Sequence, residues 1–213
     1  MPLAGSFTYA PKPGGVSLPE QLGLCEQGLL FGEPTLPSRL SAGLGRDWPE
    51  ARGAFVAEAQ DLWIWCNEED HLRVISQQEG RNLRGALARA LDCVQQLEAE
   101  LRRDGLGYIR DGRLGYLTVD PAHLGSALRC TVALRLPRLS SRKGFLELCE
   151  CLRLQATWRA GAWDLANGPC LGLSEVEVAN RVVQGCAQLV HLERQLDQGR
   201  EITAELESLG LHT

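Results

Sequence analysis

A short polar tetrad lies between two strand-like runs and ahead of a long amphipathic pattern, and this arrangement restricts the fold most. Residues 62–66 (LWIWC) and 71–76 (HLRVIS) are rich in aromatic and branched side chains, which favours β-strands. The intervening residues 67–70 (NEED) are all polar and predict a tight connection. Apolar residues then recur every three or four positions from Leu83 to Leu101, which predicts a helix of about five turns.

The second half of the chain also mixes strands and helices without strict alternation. Its apolar patterns predict strands at 114–119 and 128–136, a helix at 145–152 and two short strands within 153–165. Ser174 and Glu177 form a capping-box pattern that begins a final long helix, and Gly199 fits its end. Strands in pairs, with helices between and after them, predict an α+β fold in which an antiparallel sheet is flanked by helices.

The first part of the chain is different. Pro and Gly recur through residues 1–60, so we predict a loop-rich lead-in that belongs to the same domain as the rest of residues 1–213. Within it, Pro19 suits the first turn of a helix that runs from Leu18 to Leu30.

Composition excludes several broad classes of function. The 213 residues carry 22 basic and 27 acidic side chains, a formal net charge of −5, which argues against nucleic-acid binding through bulk positive charge. Charged or polar residues interrupt every apolar run, so no membrane-spanning helix is predicted. The eight cysteines include no CxxC pair, and the four histidines lack zinc-ligand spacing. We therefore predict free thiols in a reducing compartment and no metal site.

The tetrad is the first candidate for chemistry, since Glu68, Glu69 and Asp70 place three carboxylates on one turn. Their spacing is most typical of a solvated hairpin. The alternative is a carboxylate that orients a cationic substrate or accepts a proton from it. Arg73 and Arg129, both near strands, are suited to hold a phosphate together, although isolated arginines are usually surface charges.

Residues 65–76 (WCNEEDHLRVIS) resemble the signature of the phosphagen kinases, the ATP:guanidino phosphotransferases. Further segments agree and keep the family's order: RDWPEARG at 46–53, LGY at 114–116 with Pro121 and LG at 124–125, LRLQ at 152–155 and LGLSEVE at 171–177. The resemblance covers essentially the whole chain, and the RDWP and LRLQ segments are nearer to creatine kinases than to arginine kinases. It implies the guanidino kinase type of catalytic domain.

The resemblance also implies an activity. Phosphagen kinases transfer the γ-phosphoryl group of ATP, carried with Mg²⁺, reversibly to the guanidino group of creatine or a related compound. By position, Glu69 corresponds to the carboxylate that holds the guanidinium and serves as base, with Glu68 and Trp65 beside the substrate. Arg73 and Arg129 correspond to arginines that hold the nucleotide phosphates. The implied location is the cytoplasm, with the mitochondrion left open.

Three departures from the family pattern predict impaired activity. Asp120 stands where the family has its reactive cysteine, and none of the eight cysteines occupies that position. Residues 156–163 (ATWRAGAW) replace a glycine-rich loop, and Arg159 is displaced by two positions from the phosphate-binding arginine of that loop. The family's small N-terminal helical domain, and a strand whose arginines grip ATP, have no counterpart before residue 1.

We therefore expect an incomplete C-terminal catalytic domain whose sheet is truncated on its N-terminal side. An uncovered sheet edge favours association, so a homo-oligomer is among the predicted states. Two alternatives to the enzyme stay open at this point. One is a catalytically inactive relative that binds nucleotide or a partner, and the other is a fragment of a longer gene product.

Overall fold

The computed structural model describes residues 4–9 and 17–211. The chain divides into two compact units, Met1–Tyr108 and Ile109–Thr213. Each unit combines antiparallel strands with helices, which confirms the predicted α+β class. The assignment of residues 1–213 to one domain stays a prediction. No helix in the described part of the chain is both long enough and apolar enough to cross a membrane.

The first unit is built on a four-stranded antiparallel sheet with the strands in chain order. Its strands are β1 (Gly5–Tyr9), β2 (Gly53–Ala57), β3 (Leu62–Cys66) and β4 (Leu72–Ser76). Its helices are α1 (Leu18–Glu26), α2 (Pro37–Ser41) and α3 (Leu83–Arg103). The predicted hairpin and the long helix after it are both present.

The side chains of β3 point alternately to the two faces of the sheet and pack into a cluster on each face. Leu62 and Ile64 pack with Cys93 of α3 in one buried cluster. On the other side, Trp65 packs against a second cluster that contains Phe31 and Ala54. Since successive side chains of a strand point to opposite faces, the LWIWC pattern supplies both clusters from five residues. The β3–β4 hairpin is thereby held firmly, and the polar tetrad lies at its tip.

The lead-in holds more structure than its Pro and Gly content predicts. Strands β1 and β2 both lie within residues 1–60, and sequence patterns did not identify either. Each has five residues, and each is stabilised by ladder hydrogen bonds to a neighbouring strand rather than by local preference. The predicted helix from Leu18 ends early, at Glu26, and a turn with Gly28 at φ +70° follows.

The second unit contains two smaller antiparallel sheets. A ribbon pairs β5 (Arg110–Asp111) with β6 (Gly115–Tyr116), and a three-stranded sheet has the order β7 (Thr131–Leu134), β9 (Ala162–Asn167), β8 (Leu154–Arg159). Its helices are α4 (Phe145–Cys151), α5 (Glu175–Asp197) and α6 (Thr203–Ser208), with a 3₁₀ turn at Pro121–His123. The strands predicted at 114–119 and 128–136 are shorter than expected, because only residues 115–116 and 131–134 have ladder partners in a neighbouring strand.

Helix α5 is the central element of this unit. The Ser174 hydroxyl accepts a hydrogen bond from the Glu177 amide, and the Glu177 carboxylate accepts one from the Ser174 amide, so the predicted capping box is present. Val182, Leu189 and Leu192 of α5 are completely buried. These side chains form the core of the unit with other apolar residues, and they explain why the apolar stripe of this helix was readable from the sequence.

Glu193, near the end of α5, is a buried carboxylate that binds backbone rather than a basic side chain. Its two oxygens accept hydrogen bonds from the amides of Arg138 and Leu139, at 3.0 and 2.7 Å. Glu193 is only 7% exposed, so water cannot readily replace these bonds. The carboxylate therefore fixes the turn after β7 onto α5.

We predict that Glu193→Ala lowers the free energy of unfolding by about 2 to 4 kcal/mol, because two amides lose their acceptors in a buried place. Glu193→Gln leaves one acceptor oxygen and should have a smaller effect. Urea unfolding followed by circular dichroism measures both. Glu207→Gln, at an exposed position of α6, is the control and should change stability by less than about 0.5 kcal/mol. Equal stabilities for the Glu193→Ala and control variants would contradict this role.

All eight cysteines are free thiols, as the sequence predicts. Cys149 is buried and Cys151 exposed, in agreement with their spacing of two on a helix. Burial raises the pKa of Cys130 and Cys149 to about 11. Burial and the neighbouring thiols of Cys130 and Cys149 raise the pKa of Cys186 to about 12. These three thiols are therefore protonated and unreactive at neutral pH.

Iodoacetamide at pH 7.5 should alkylate Cys151 first and leave Cys130, Cys149 and Cys186 unmodified in the folded protein. The reason is that only an accessible thiolate reacts, and the three buried thiols are neither accessible nor ionised. Peptide mass spectrometry over a time course measures the order. Unfolding in urea before alkylation is the control and should make all sites react. Early labelling of Cys186 in the folded chain would contradict the buried assignment.

Candidate active site

The NEED tetrad forms the turn between β3 and β4, and Asn67 fastens it. Asn67 has a left-handed backbone (φ +56°), and its amide donates through Nδ2 to the Ala51 carbonyl at 2.8 Å. Its Oδ1 lies 3.1 Å from Nδ1 of His71, and its backbone amide donates to the His71 carbonyl at 3.0 Å. The turn is therefore tied to Ala51, two residues before β2, and closed on itself, which fixes Glu68 and Glu69.

Two carboxylates and two guanidinium groups meet beside this turn, and we call Arg39, Glu68, Glu69 and Arg73 the ion-pair quartet. Arg73 lies 3.1 Å from Glu69 through Nη2 and Oε2, and 3.1 Å from Glu68 through Nη1 and Oε2. Arg39 contacts Oε1 of Glu69 through Nε, and its Nη1 lies 4.0 Å from Oε1 of Glu68. The side chains of Glu68 and Glu69 are 12% and 11% exposed. The opposite charges balance within the quartet.

The two carboxylates are not equally satisfied. The Arg73–Glu69 contact is an aligned hydrogen bond. Oε2 of Glu68, in contrast, is buried without a hydrogen bond, although Nη1 of Arg73 is close enough for an ion pair. Distance alone does not make a hydrogen bond, because the donor must also point at the acceptor. Glu68 therefore has unused capacity to accept a further N–H donor.

A small cavity of about 10 Å³, roughly the space of one water molecule, adjoins the quartet. Phe31 and Trp48 supply its aromatic walls, and Arg39, Glu68 and Glu69 supply its polar ones. Phe31, Trp48 and Arg39 are not among the site residues predicted from the sequence. Trp48 lies in the RDWP segment, which was the available signal, whereas Arg39 and Phe31 lie in ordinary-looking stretches.

Trp65, predicted to line the substrate pocket, lies behind this cavity. Its ring centroid is 5.6 Å from that of Phe31, and the Arg73 guanidinium lies 5.7 Å from the Trp65 ring. The indole Nε1 donates to the Leu29 carbonyl at 3.1 Å. Trp65 therefore supports one wall of the cavity and holds Arg73 by a cation–π contact.

Asp120, predicted at the position of the reactive cysteine, is exposed in the second unit. Its Oδ1 accepts a hydrogen bond from the Ala122 amide at 2.9 Å, so the carboxylate caps the 3₁₀ turn at Pro121–His123. The Thr118 hydroxyl donates to the Asp120 carbonyl at 2.8 Å. Asp120 therefore has a local structural role as the N-cap of this turn, and a role in catalysis stays a prediction.

Two glycines anchor the segment that carries Asp120. A Cβ on Gly115 would lie 2.3 Å from the Gly125 carbonyl oxygen, and a Cβ on Gly125 would lie 2.3 Å from that of Cys170. Both glycines have positive φ, at +70° and +107°. No other residue fits these two positions, so the backbone on both sides of Asp120 is closely held.

The two arginines predicted in the second unit as phosphate ligands lie apart from each other. Arg129 is exposed just before β7 and donates to Oε1 of Gln155 at 3.4 Å, near the start of β8. Arg159 ends β8, and its Nε is 3.5 Å from Oδ2 of Asp164. The four steps from Gln155 to Arg159 span roughly 13 Å along the strand. Arg159 therefore does not lie beside Arg129, and its phosphate-binding role stays a prediction.

Within residues 4–9 and 17–211, no group of three or more His, Cys, Asp or Glu side chains is arranged to hold a metal ion. The chemistry that the described residues do offer is guanidinium recognition by the pair Glu68 and Glu69, and anion recognition by the exposed Arg129 and Arg159.

Comparisons with known proteins agree with this reading of the motifs. The family described as ATP:guanido phosphotransferase, C-terminal catalytic domain, matches residues 15–196. Creatine kinase B-type of Gallus gallus is 36% identical over 191 residues, which cover 86% of this chain and 50% of that protein. The testis isozyme of creatine kinase from Oncorhynchus mykiss is 35% identical with the same coverage. The chain therefore spans about half the length of the curated relatives it matches.

Solved structures lead to the same family. Lombricine kinase matches with a TM-score of 0.87 at 30% identity, over 93% of this chain and 56% of that chain. The substrate-free duplicated taurocyamine kinase from Schistosoma mansoni matches with a TM-score of 0.82 at 31% identity, over 92% of this chain and 28% of that chain. The predicted fold and family are thus confirmed: the chain belongs to the ATP:guanidino phosphotransferases, or phosphagen kinases, and corresponds to their C-terminal catalytic domain.

Proposed function

We propose that this chain is the catalytic part of a phosphagen kinase that transfers the γ-phosphoryl group of MgATP to a guanidino acceptor. The observation that carries the proposal is that Glu68 and Glu69 already bind guanidinium groups, those of Arg39 and Arg73. Creatine is the first acceptor to test, because the similar Gallus gallus and Oncorhynchus mykiss proteins are creatine kinases. The names of the lombricine and taurocyamine kinases keep other guanidino acceptors in the panel.

Glu69 has the central role in the proposed reaction. A guanidino nitrogen of the acceptor attacks the γ-phosphorus, the bond from that phosphorus to the β–γ bridging oxygen breaks, and ADP leaves. The attacking nitrogen loses one proton, which the Glu69 carboxylate accepts. Because the carboxylate holds the planar guanidinium in one orientation before attack, most of its contribution is positioning. Glu68 assists by accepting a second N–H through its unsatisfied oxygen.

The exposed arginines bind the nucleotide in this proposal. Arg129 has an exposed guanidinium whose hydrogen bond to Gln155 is long, so it can be exchanged for a phosphate oxygen. Arg159 is similarly exposed and carries a loose ion pair to Asp164. Arg73 offsets the charge of the carboxylate pair and is proposed to face the transferred phosphoryl group.

The free thiols fit a reducing compartment such as the cytoplasm, which is where we propose the protein acts.

A second candidate is a relative that binds nucleotide without turnover. Asp120 favours it, since this carboxylate replaces the family's reactive cysteine and already caps a local turn. Under this alternative, Arg129 and Arg159 bind nucleotide while the acceptor site is unused. The two candidates differ in one measurable property, which is ADP release that depends on a guanidino acceptor.

We predict acceptor-dependent release of ADP from MgATP in a coupled assay with creatine, taurocyamine and lombricine. Glu69→Gln should lower this rate by about 10²- to 10⁴-fold, because an amide neither accepts the proton nor carries the charge that holds a guanidinium. Glu79→Gln, an exposed glutamate after β4, is the matched control and should keep the rate.

The outcome against turnover is equally specific. Thermal stabilisation by nucleotide without acceptor-dependent ADP release would support the binding relative, because a ligand held by the folded state raises stability by mass action. If the chain shows neither turnover nor stabilisation by nucleotide, both candidates are rejected for this chain.

Asp120 is tested by a pair of variants. Asp120→Cys should raise the phosphoryl-transfer rate by up to about 10²-fold, since a thiolate carries its charge on one sulfur bonded to Cβ whereas a carboxylate carries it on two oxygens one bond further out, and misplacement of about 1 Å has an effect of this size. Asp120→Asn keeps an N-cap side chain but removes the charge, so it should lower the rate with little change in stability. Steady-state rates and thermal midpoints are compared. An unchanged rate in Asp120→Cys would contradict the proposal that Asp120 partly replaces the thiolate.

A further inference from the structure

One guanidinium of the quartet belongs to a side chain that the sequence patterns did not single out. The two arginines divide the carboxylate oxygens between them. Arg73 approaches Oε2 of both Glu68 and Glu69, and Arg39 approaches Oε1 of both. A guanidino compound that is to bind Glu69 must therefore take the place of one of these arginines.

The two arginines are anchored very differently. Arg73 is part of β4, in register with Trp65 of β3, and its guanidinium lies against the ring of that tryptophan. Arg39 belongs to α2, a helix of five residues that has no buried residue and no side-chain hydrogen bond at its N-cap. The Arg39 side chain is also 35% exposed. Arg39 can therefore leave the carboxylates without opening the core, whereas Arg73 cannot.

We infer that Arg39 is an intrachain occupant of the guanidino-acceptor site, competing with the acceptor for Oε1 of Glu69. The inference rests on the proposed function, because it takes Glu69 as the carboxylate that receives the acceptor. An arginine side chain ends in an N-alkylguanidinium, which is the recognised group of any guanidino acceptor. The cavity beside the quartet has room for about one water molecule while Arg39 is present, so the acceptor cannot bind next to Arg39 and must displace it.

Competition of this kind changes the apparent affinity in a defined way. When only a fraction of the molecules has a vacant site, the apparent Kd for the acceptor rises by the inverse of that fraction. If Arg39 is bound in nine molecules of ten, its removal tightens acceptor binding about tenfold. Arg39 is thus a specificity-determining residue, because only a guanidino compound with further contacts competes well against it.

The test measures binding of N-ethylguanidine to the purified chain, without nucleotide, by titration of the tryptophan indole N–H signals in NMR spectra. Arg39→Leu should bind this probe about tenfold more tightly than the wild-type chain. Arg102→Leu, which removes an exposed ion pair of α3 with Glu98, is the matched control and should leave the Kd unchanged. Ethylammonium chloride at equal concentration controls for ionic strength.

Two further variants make the result specific to this site. Adding Glu69→Gln to Arg39→Leu should abolish the tightening, because the carboxylate that both cations share is gone. Arg39→Lys keeps the charge but loses the planar fork, so it should tighten binding to an intermediate degree; it also serves if Arg39→Leu does not fold. An equal Kd in wild-type chain and both Arg39 variants overturns the inference, as does tightening that survives Glu69→Gln or an absence of binding in every variant.

The outcome is separable from that of the proposed activity. Tighter probe binding in Arg39→Leu, without phosphoryl transfer in any variant, would support the occupied site and contradict the kinase activity of this chain. Phosphoryl transfer with an acceptor KM that Arg39→Leu does not lower would support the activity and overturn the inference.

Discussion

Two carboxylates placed almost out of reach of water dominate the first unit, and the ion pairs that they make explain much of the structure around them. A buried carboxylate needs positive partners or hydrogen-bond donors, since isolated burial of its charge is strongly unfavourable. Glu68 and Glu69 have such partners in Arg73 from the next strand and Arg39 from a peripheral helix. The hydrogen-bonded turn at Asn67, the Trp65 ring beside Arg73 and the position of α2, which carries Arg39, all hold these ion pairs together.

The quartet also links the structural and functional roles of the turn. A pair of carboxylates that accepts guanidinium groups from its own chain has the geometry to accept one from a small molecule. Under the proposed function, the same contacts that stabilise the folded chain oppose the entry of an acceptor. Stability and binding compete at this site, as is common where charged groups are held ready for a ligand.

Local patterns in the sequence predicted the elements whose own residues determine them. The β3–β4 hairpin, helix α3 and the capping box at Ser174 depend on periodicity and on neighbours three or four residues apart, so they were readable. Strands β1 and β2 depend on pairing with distant segments, so their short sequences gave no signal. Among the expected site residues, Glu69 and Arg73 meet because they are four residues apart on one hairpin. Arg39 was missed because its contact with Glu69 spans thirty residues.

The weak anchoring of α2 affects how strongly Arg39 would compete with any acceptor. In the inferred competition, Arg39 is tethered to the site that it fills and acts like a ligand at an effective concentration, which for short tethers is on the order of millimolar. Exchange of Arg39 for a free guanidino compound replaces one guanidinium group by another at the same carboxylate. Screening by salt acts on both in nearly the same way. The relative occupancy of the carboxylate by Arg39 and by the acceptor is therefore set by the tether of Arg39 and by the shape of the acceptor. This ratio should hold across ionic strengths that would weaken either contact alone.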